Sequence, residues 1–190
     1  MAEPPGNLLR VIMSGSGGMA VPGVRELEHT ADVGLEVNAP TLPELFRRAA
    51  LGSMWLVLER EVTPAGRTPY PTDPTDRLPA PDQGEDRASP GETRVLELVD
   101  TDLPALFRSW LRTLLFWEET EAFVTVDSAV SLVPAPLCSS PDGQAFGLRA
   151  QVRGWFDRGP RVREIKGVTL HGLVVEQVEG SWWGRVIFDV

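Results

Sequence analysis

A six-residue pattern occurs twice in this chain, as Leu42-Pro43-Glu44-Leu45-Phe46-Arg47 and as Leu103-Pro104-Ala105-Leu106-Phe107-Arg108, and each copy opens an amphipathic helix. In the first, Thr41 is placed to cap the helix, with Glu44 three residues on completing a capping box. Leu42, Leu45, Phe46, Ala49, Ala50, Met54 and Val57 then follow at helical spacing. In the second, Asp102 is the cap and Leu103, Leu106, Phe107, Trp110, Leu111, Leu114 and Leu115 form the apolar stripe. Strand-like runs at 34–37 and 93–99 precede the two helices. This arrangement points to duplication of a small strand-helix-strand unit, although six residues also fit a coincidence of two helix starts. Further strands are expected at 122–134 and 144–155. The chain then closes in a hairpin of 165–177 and 182–190, β-branched and aromatic, around Glu179-Gly180-Ser181. The expected class is α+β, with two helices packed on a strongly twisted, mainly antiparallel sheet.

Two segments stand outside this pattern. Residues 1–23 contain Ser14-Gly15-Ser16-Gly17-Gly18 and too little apolar side chain to offset the entropy of ordering, so they read as a flexible tail. Residues 61–92 are dense in Pro, Asp, Gly and Thr, and their only large apolar side chains are Val62, Tyr70 and Leu78. They read as a disordered surface insertion. The remainder, 24–190, is expected to be one domain, and 42% hydrophobic residues over a 190-residue chain are enough to bury a core.

Charge narrows the function. Lys and Arg number 18 against 27 Asp and Glu, a net charge of -9 with no basic cluster, which opposes tight contact with phosphate backbones. The single cysteine, Cys138, has no partner for an internal disulfide, and no Cys or His lies near it at metal-ligand spacing. A reducing compartment, the cytoplasm, is the expectation. No run reaches the roughly 18–20 apolar residues of a membrane span, and 1–23 has no continuous apolar stretch of the export type.

Catalytic signatures are absent from the sequence. His29 and His171 are the two histidines, and neither has a Ser, Cys or second His at triad or zinc spacing. The Gly15–Gly18 run lacks the Lys-Ser/Thr ending of a P-loop. Two acidic features remain. Asp32 sits in the polar run Glu28-His29-Thr30-Ala31-Asp32-Val33-Gly34 at a strand entrance, where an Asx-type turn is one reading and a ligand the other. Strand alternation through Arg185-Val186-Ile187-Phe188-Asp189-Val190 sends Asp189 to the face opposite Val186, Phe188 and Val190. The Asp189 side chain and the Val190 α-carboxylate then lie within one residue, which in an ordered strand end calls for a cation or a basic side chain. A frayed, solvated end is the alternative.

The segments HTADVG at 29–34 and EIKGVTLHGLVVE…RVIFDV across 164–190 resemble the signature ends of the archease family. TLPELFRRAALGSMWLVL at 41–58 and VDTDLPALFRSWLRTLLFWEETEAF at 99–123 are similar to its two helices, in the same order. The resemblance implies a fold of duplicated strand-helix-strand-strand units and a protein that is not itself an enzyme. Such a protein activates the GTP-dependent RtcB-type RNA ligase of tRNA splicing or RNA repair, promoting its guanylylation and repeated turnover. It also implies a divalent ion, calcium first and magnesium or manganese as alternatives, held by Asp32, Asp189 and Val190, with Lys166 of the EIKGVT segment in reach of a partner or of the metal-bound ligand. His29 and His171 then orient the site or satisfy backbone groups. The chain departs from the family at 154–160, which is short and lacks His. A small metal-dependent hydrolase using Asp32, Asp189 and a water, and a general chaperone or RNA-binding module, are the competing functions. The first has no evident general base, and the second has no basic-aromatic stripe.

Overall fold

The computed structural model describes residues 9–10, 21–28, 32–58, 91–135 and 145–190. Both helices form where their periodicity places them, α1 at Leu42–Leu58 and α2 at Leu103–Glu121. Thr41 Oγ1 accepts from the Glu44 amide at 3.3 Å, and Asp102 Oδ1 accepts from Ala105 at 2.7 Å, so each start is capped as expected. The Glu44 carboxylate does not close the capping box; it accepts from Arg48 Nε at 2.8 Å.

Nine strands are described: β1 Leu9–Arg10, β2 Val24–Glu28, β3 Asp32–Ala39, β4 Glu92–Asp100, β5 Phe123–Ala135, β6 Ala145–Phe156, β7 Gly167–Val168, β8 Val174–Val178 and β9 Ser181–Asp189. They make two antiparallel sheets rather than one. The smaller has the order β4-β6-β5, and the larger runs β1-β2-β3-β9, with β7 and β8 both on β9. Because β3 occupies one edge of β9 along residues 182–189, β7 and β8 share the other edge. The two sheets therefore repeat one topology. In the unit β4-α2-β5-β6 the last strand lies between the first and the middle strand, and in β3-α1-(β7, β8)-β9 it does the same. The first unit is split after α1, and the second is inserted into it.

The helices connect the sheets. α1 packs on β2, β3 and β9 of the larger and β5 of the smaller, whereas α2 packs on β4, β5 and β6 of the smaller and on β7 and β8 of the larger. Placed between them, α1 is buried nearly all round, from Leu45 and Phe46 to Val57 and Leu58. α2 keeps a solvent side with Arg112 and Phe116. The repeated pattern meets itself at the centre: the Phe46 and Phe107 rings pack edge to face at 5.2 Å, and Trp110 Nε1 donates to Phe46 O at 2.9 Å. At the rim, the Arg94 guanidinium lies 4.1 Å over the Phe123 ring and donates to Glu121 at 2.7 Å. That hydrogen bond holds the Glu121 carboxyl below the usual carboxylate range. Its contribution is present above the unfolded-state pKa and is lost as pH falls through the lowered one.

Four further expectations change. Val21 is 4% exposed and packs in the core, and Leu9–Arg10 pairs with Leu27 and Glu26, so the domain takes in part of the segment 1–23 read as tail. The rest of that segment lies outside the described residues. Of the expected insertion 61–92, Gly91 and Glu92 belong to the approach and first residue of β4, and 61–90 lie outside the described residues. The single strand 165–177 is broken into β7 and β8 by a turn at 169–173, where Gly172 adopts φ +61 and Arg185 Nε donates to its carbonyl at 2.9 Å. Finally, Val24–Glu28 is a strand that no alternation announced, since its inward positions include the buried Glu26. The final hairpin turn is as read, with Glu179 and Gly180 both at positive φ.

The Phe46–Phe107 contact predicts that Phe107→Ala lowers unfolding stability by about 3–5 kcal/mol in urea titration. A loss below about 1 kcal/mol would show that the inter-repeat contact does not hold the units together.

Candidate metal centre

β9 is a central strand because its apolar side chains alternate inward. Val186 and Phe188 are 0% exposed, whereas Asp189 at the strand end is exposed. β3 alternates in register with it, burying Val33, Leu35 and Val37. The pairing runs Val37↔Gly184, Leu35↔Val186 and Val33↔Phe188, and ends on Asp32↔Asp189. Directly opposed residues of an antiparallel pair have Cα atoms about 4.5–5.5 Å apart and side chains on the same face. Asp32 and Asp189, which are 157 positions apart in the numbering, thus share one spot on the outer face.

The other edge of β9 completes the row. Gly167 is the partner of Asp189 there, and, its chain neighbours apart, a Cβ at Gly167 would meet nothing within 4 Å, so no side chain of residue 167 stands beside Asp189. The preceding residue clasps the strand end twice: Lys166 N donates to Asp189 O at 2.8 Å, and Lys166 Nζ donates to Val190 O at 3.1 Å. Asp32, Asp189, Val190 and Lys166 therefore lie together. Of the histidines, His29 lies outside the described residues, and His171 is exposed in the turn between β7 and β8.

Two carboxylates and the oxygens of Val190 are hard donors that suit calcium or magnesium and do not suit a soft metal. They do not make a complete cage. Among the described residues, no group of three or more His, Cys, Asp or Glu side chains is placed to hold a metal. The donor set fits a hard ion whose other positions are filled by water or by a second molecule. Lys166 offers the local positive charge that the strand end was expected to need. Its contact with Val190 was not legible, because the two residues meet only through the β7–β9 register. The ion pair of the buried Glu26 with Arg163 gave no sequence signal either.

A chain of nested units with an acidic pole where its first and last signature segments meet can be compared with known proteins. The model of the Archease protein family (MTH1598/TM1083) matches residues 25–73 and 83–190. Protein archease of Thermococcus gammatolerans is 24% identical over 167 residues, covering 86% of this chain and 95% of its own length. That of Methanosarcina mazei is 26% identical over 167 residues, covering 86% and 93%. The solution structure of Methanobacterium thermoautotrophicum protein 1598 superposes with a TM-score of 0.58 at 22% identity, over 88% of this chain and 99% of that one, and so shares the fold. The chain belongs to the archease family. Among the described residues no helix is long and apolar enough to cross a membrane.

Opposed like charges cost a sheet about 0.2–1 kcal/mol. Asp32→Asn is therefore expected to raise urea stability in the presence of a chelator by about 0.5 kcal/mol. A loss of more than about 1 kcal/mol would instead make the Asp32 carboxylate a structural cap.

Proposed function

We propose that this chain is a metal-binding protein activator of an RtcB-type RNA ligase, acting in tRNA splicing or RNA repair in the cytoplasm. The observation that carries the reading is the Asp32↔Asp189 pairing, which joins the two segments most similar to the family ends on one face. Asp32 and Asp189 would hold the ion through their carboxylates and Val190 through its terminal oxygens, with calcium first and magnesium or manganese as alternatives. When bound, the ion supplies a hard Lewis-acid charge at the protein surface. The chain's own residues do the rest. β3 and β9 fix the spacing of the two carboxylates, and Lys166 orients the Val190 end and offers a cation toward the partner.

The net charge of -9 favours approach to a basic, RNA-binding enzyme and disfavours RNA itself, a steering effect that weakens with salt. The sequence offers no nucleophile and base at a recognisable catalytic spacing, and in this reading joining is the work of the ligase.

The test is ligase guanylylation and multiple-turnover joining with wild type, Asp32→Asn and Asp189→Asn, with circular dichroism as the control for folding. Each variant is expected to stay folded and to lose at least about tenfold of the stimulation, the scale of about 1.4 kcal/mol in coupling. Full stimulation by both folded variants would refute the acid-pole reading. Phosphoesterase activity of the wild type alone would favour the hydrolase.

A further inference from the structure

Among the described residues only two acidic side chains are buried, Glu26 of β2 at 0% exposure and Glu118 of α2 at 8%. Both bind the same loop, residues 157–166 between β6 and β7. Arg161 Nε donates to Glu118 Oε1, and the rest of its guanidinium donates to Gly159 O at 2.8 Å and to Asp157 O. Arg163, two residues on, donates Nη1 to Glu26 Oε1 at 2.6 Å across 137 positions of sequence. Between these anchors the Val162 and Arg163 amides both donate to Val57 O in the last turn of α1, at 3.0 and 3.3 Å. Ile165 then enters the core, and the next residue is Lys166, with its two bonds to the strand end.

Buried carboxylates are a costly way to secure a loop. Apolar side chains of similar volume serve packing as well or better, and Glu26 Oε2 makes no hydrogen bond among the described residues. What an ion pair adds over apolar packing is directional definition. Definition is what Lys166 lacks without help. It stands on a short approach to β7, a strand of two residues, Gly167–Val168, too short to set its own register against β9.

We infer that Arg161–Glu118 and Arg163–Glu26 form a clamp that positions Lys166 against the Asp189–Val190 end. All four are positioning residues for the acidic pole, and the functional weight of the inference rests on the reading of that pole given above. The clamp explains why two arginines flank Val162, and why acids of two different elements are buried to meet them.

The test uses the full chain with Glu26→Leu and Arg163→Met combined, which removes the pair without leaving a buried charge alone. Native-state hydrogen exchange is read at the Lys166 and Thr169 amides, which donate to Asp189 O and Ile187 O, with Leu148 and Val152 of the central strand β6 as references. The expected result is exchange at least about a hundredfold faster at Lys166 and Thr169, with the references unchanged and calcium affinity about tenfold weaker by titration. Unchanged exchange at Lys166, or acceleration shared equally by the references, would overturn the clamp. Should the double variant fail to fold, Arg163→Lys keeps the charge and loses the planar fork. A smaller but local rise at Lys166 then supports the clamp, and no rise overturns it. If the wild type binds no calcium while the exchange result holds, the clamp stands and the ion reading of the pole falls.

Discussion

The structure depends on one pairing, that of β3 with β9. It joins the first strand of the split unit to its last across the whole inserted unit, and it places β9 between β3 on one edge and β7 and β8 on the other. Without it the larger sheet has no centre, and α1 loses the surface formed by Leu35, Val186 and Phe188. Closing so long a loop has an entropic cost that rises slowly with length, so most of it is offset once the inserted unit has folded and drawn the ends of its connections together. β4 and β6 make the same first-to-last pairing inside the inserted unit at much shorter sequence separation. Folding of the smaller sheet around α2 before β9 closes on β3 is the order that this asymmetry favours.

The same pairing explains why the acidic pole exists. Strand register is set by the buried alternation of Val33, Leu35 and Val37 against Phe188, Val186 and Gly184, and the carboxylates at the row's end follow passively. Core packing thus holds together two like charges that would otherwise separate. Lys166 Nζ, donating to Val190 O at 3.1 Å, brings one positive charge to the same strand end. Two carboxylates held together are an arrangement that a hard cation stabilises.

Local features were legible in the sequence, and long-range ones were not. Both helices, their caps and the final turn follow from periodicity and from residues within a few positions, and they stand where they were read. β2 was missed because Val24-Arg25-Glu26-Leu27-Glu28 carries an acid, Glu26, on the inward face, where Arg163 meets it from far along the chain. The break between β7 and β8 was hidden by a β-branched run whose glycines alone did not reveal a turn. The division into two sheets, and Val21 as a core residue rather than tail, depend on contacts that no local pattern encodes. For the site, the sequence marked Asp32, Asp189 and Val190 as separate features, and family likeness joined them. Their adjacency is a matter of register, as is the bond from Lys166.

The central claim is that the β3–β9 row end binds a hard divalent ion through Asp32 and Asp189. Its most direct test is calorimetric titration of calcium into metal-free wild type, Asp32→Asn and Asp189→Asn at one ionic strength. One ion per chain is predicted for the wild type, with affinity reduced at least about tenfold in each variant, the scale of one lost charged ligand. No saturable binding to the folded wild type, or equal affinity in all three proteins, would contradict the account.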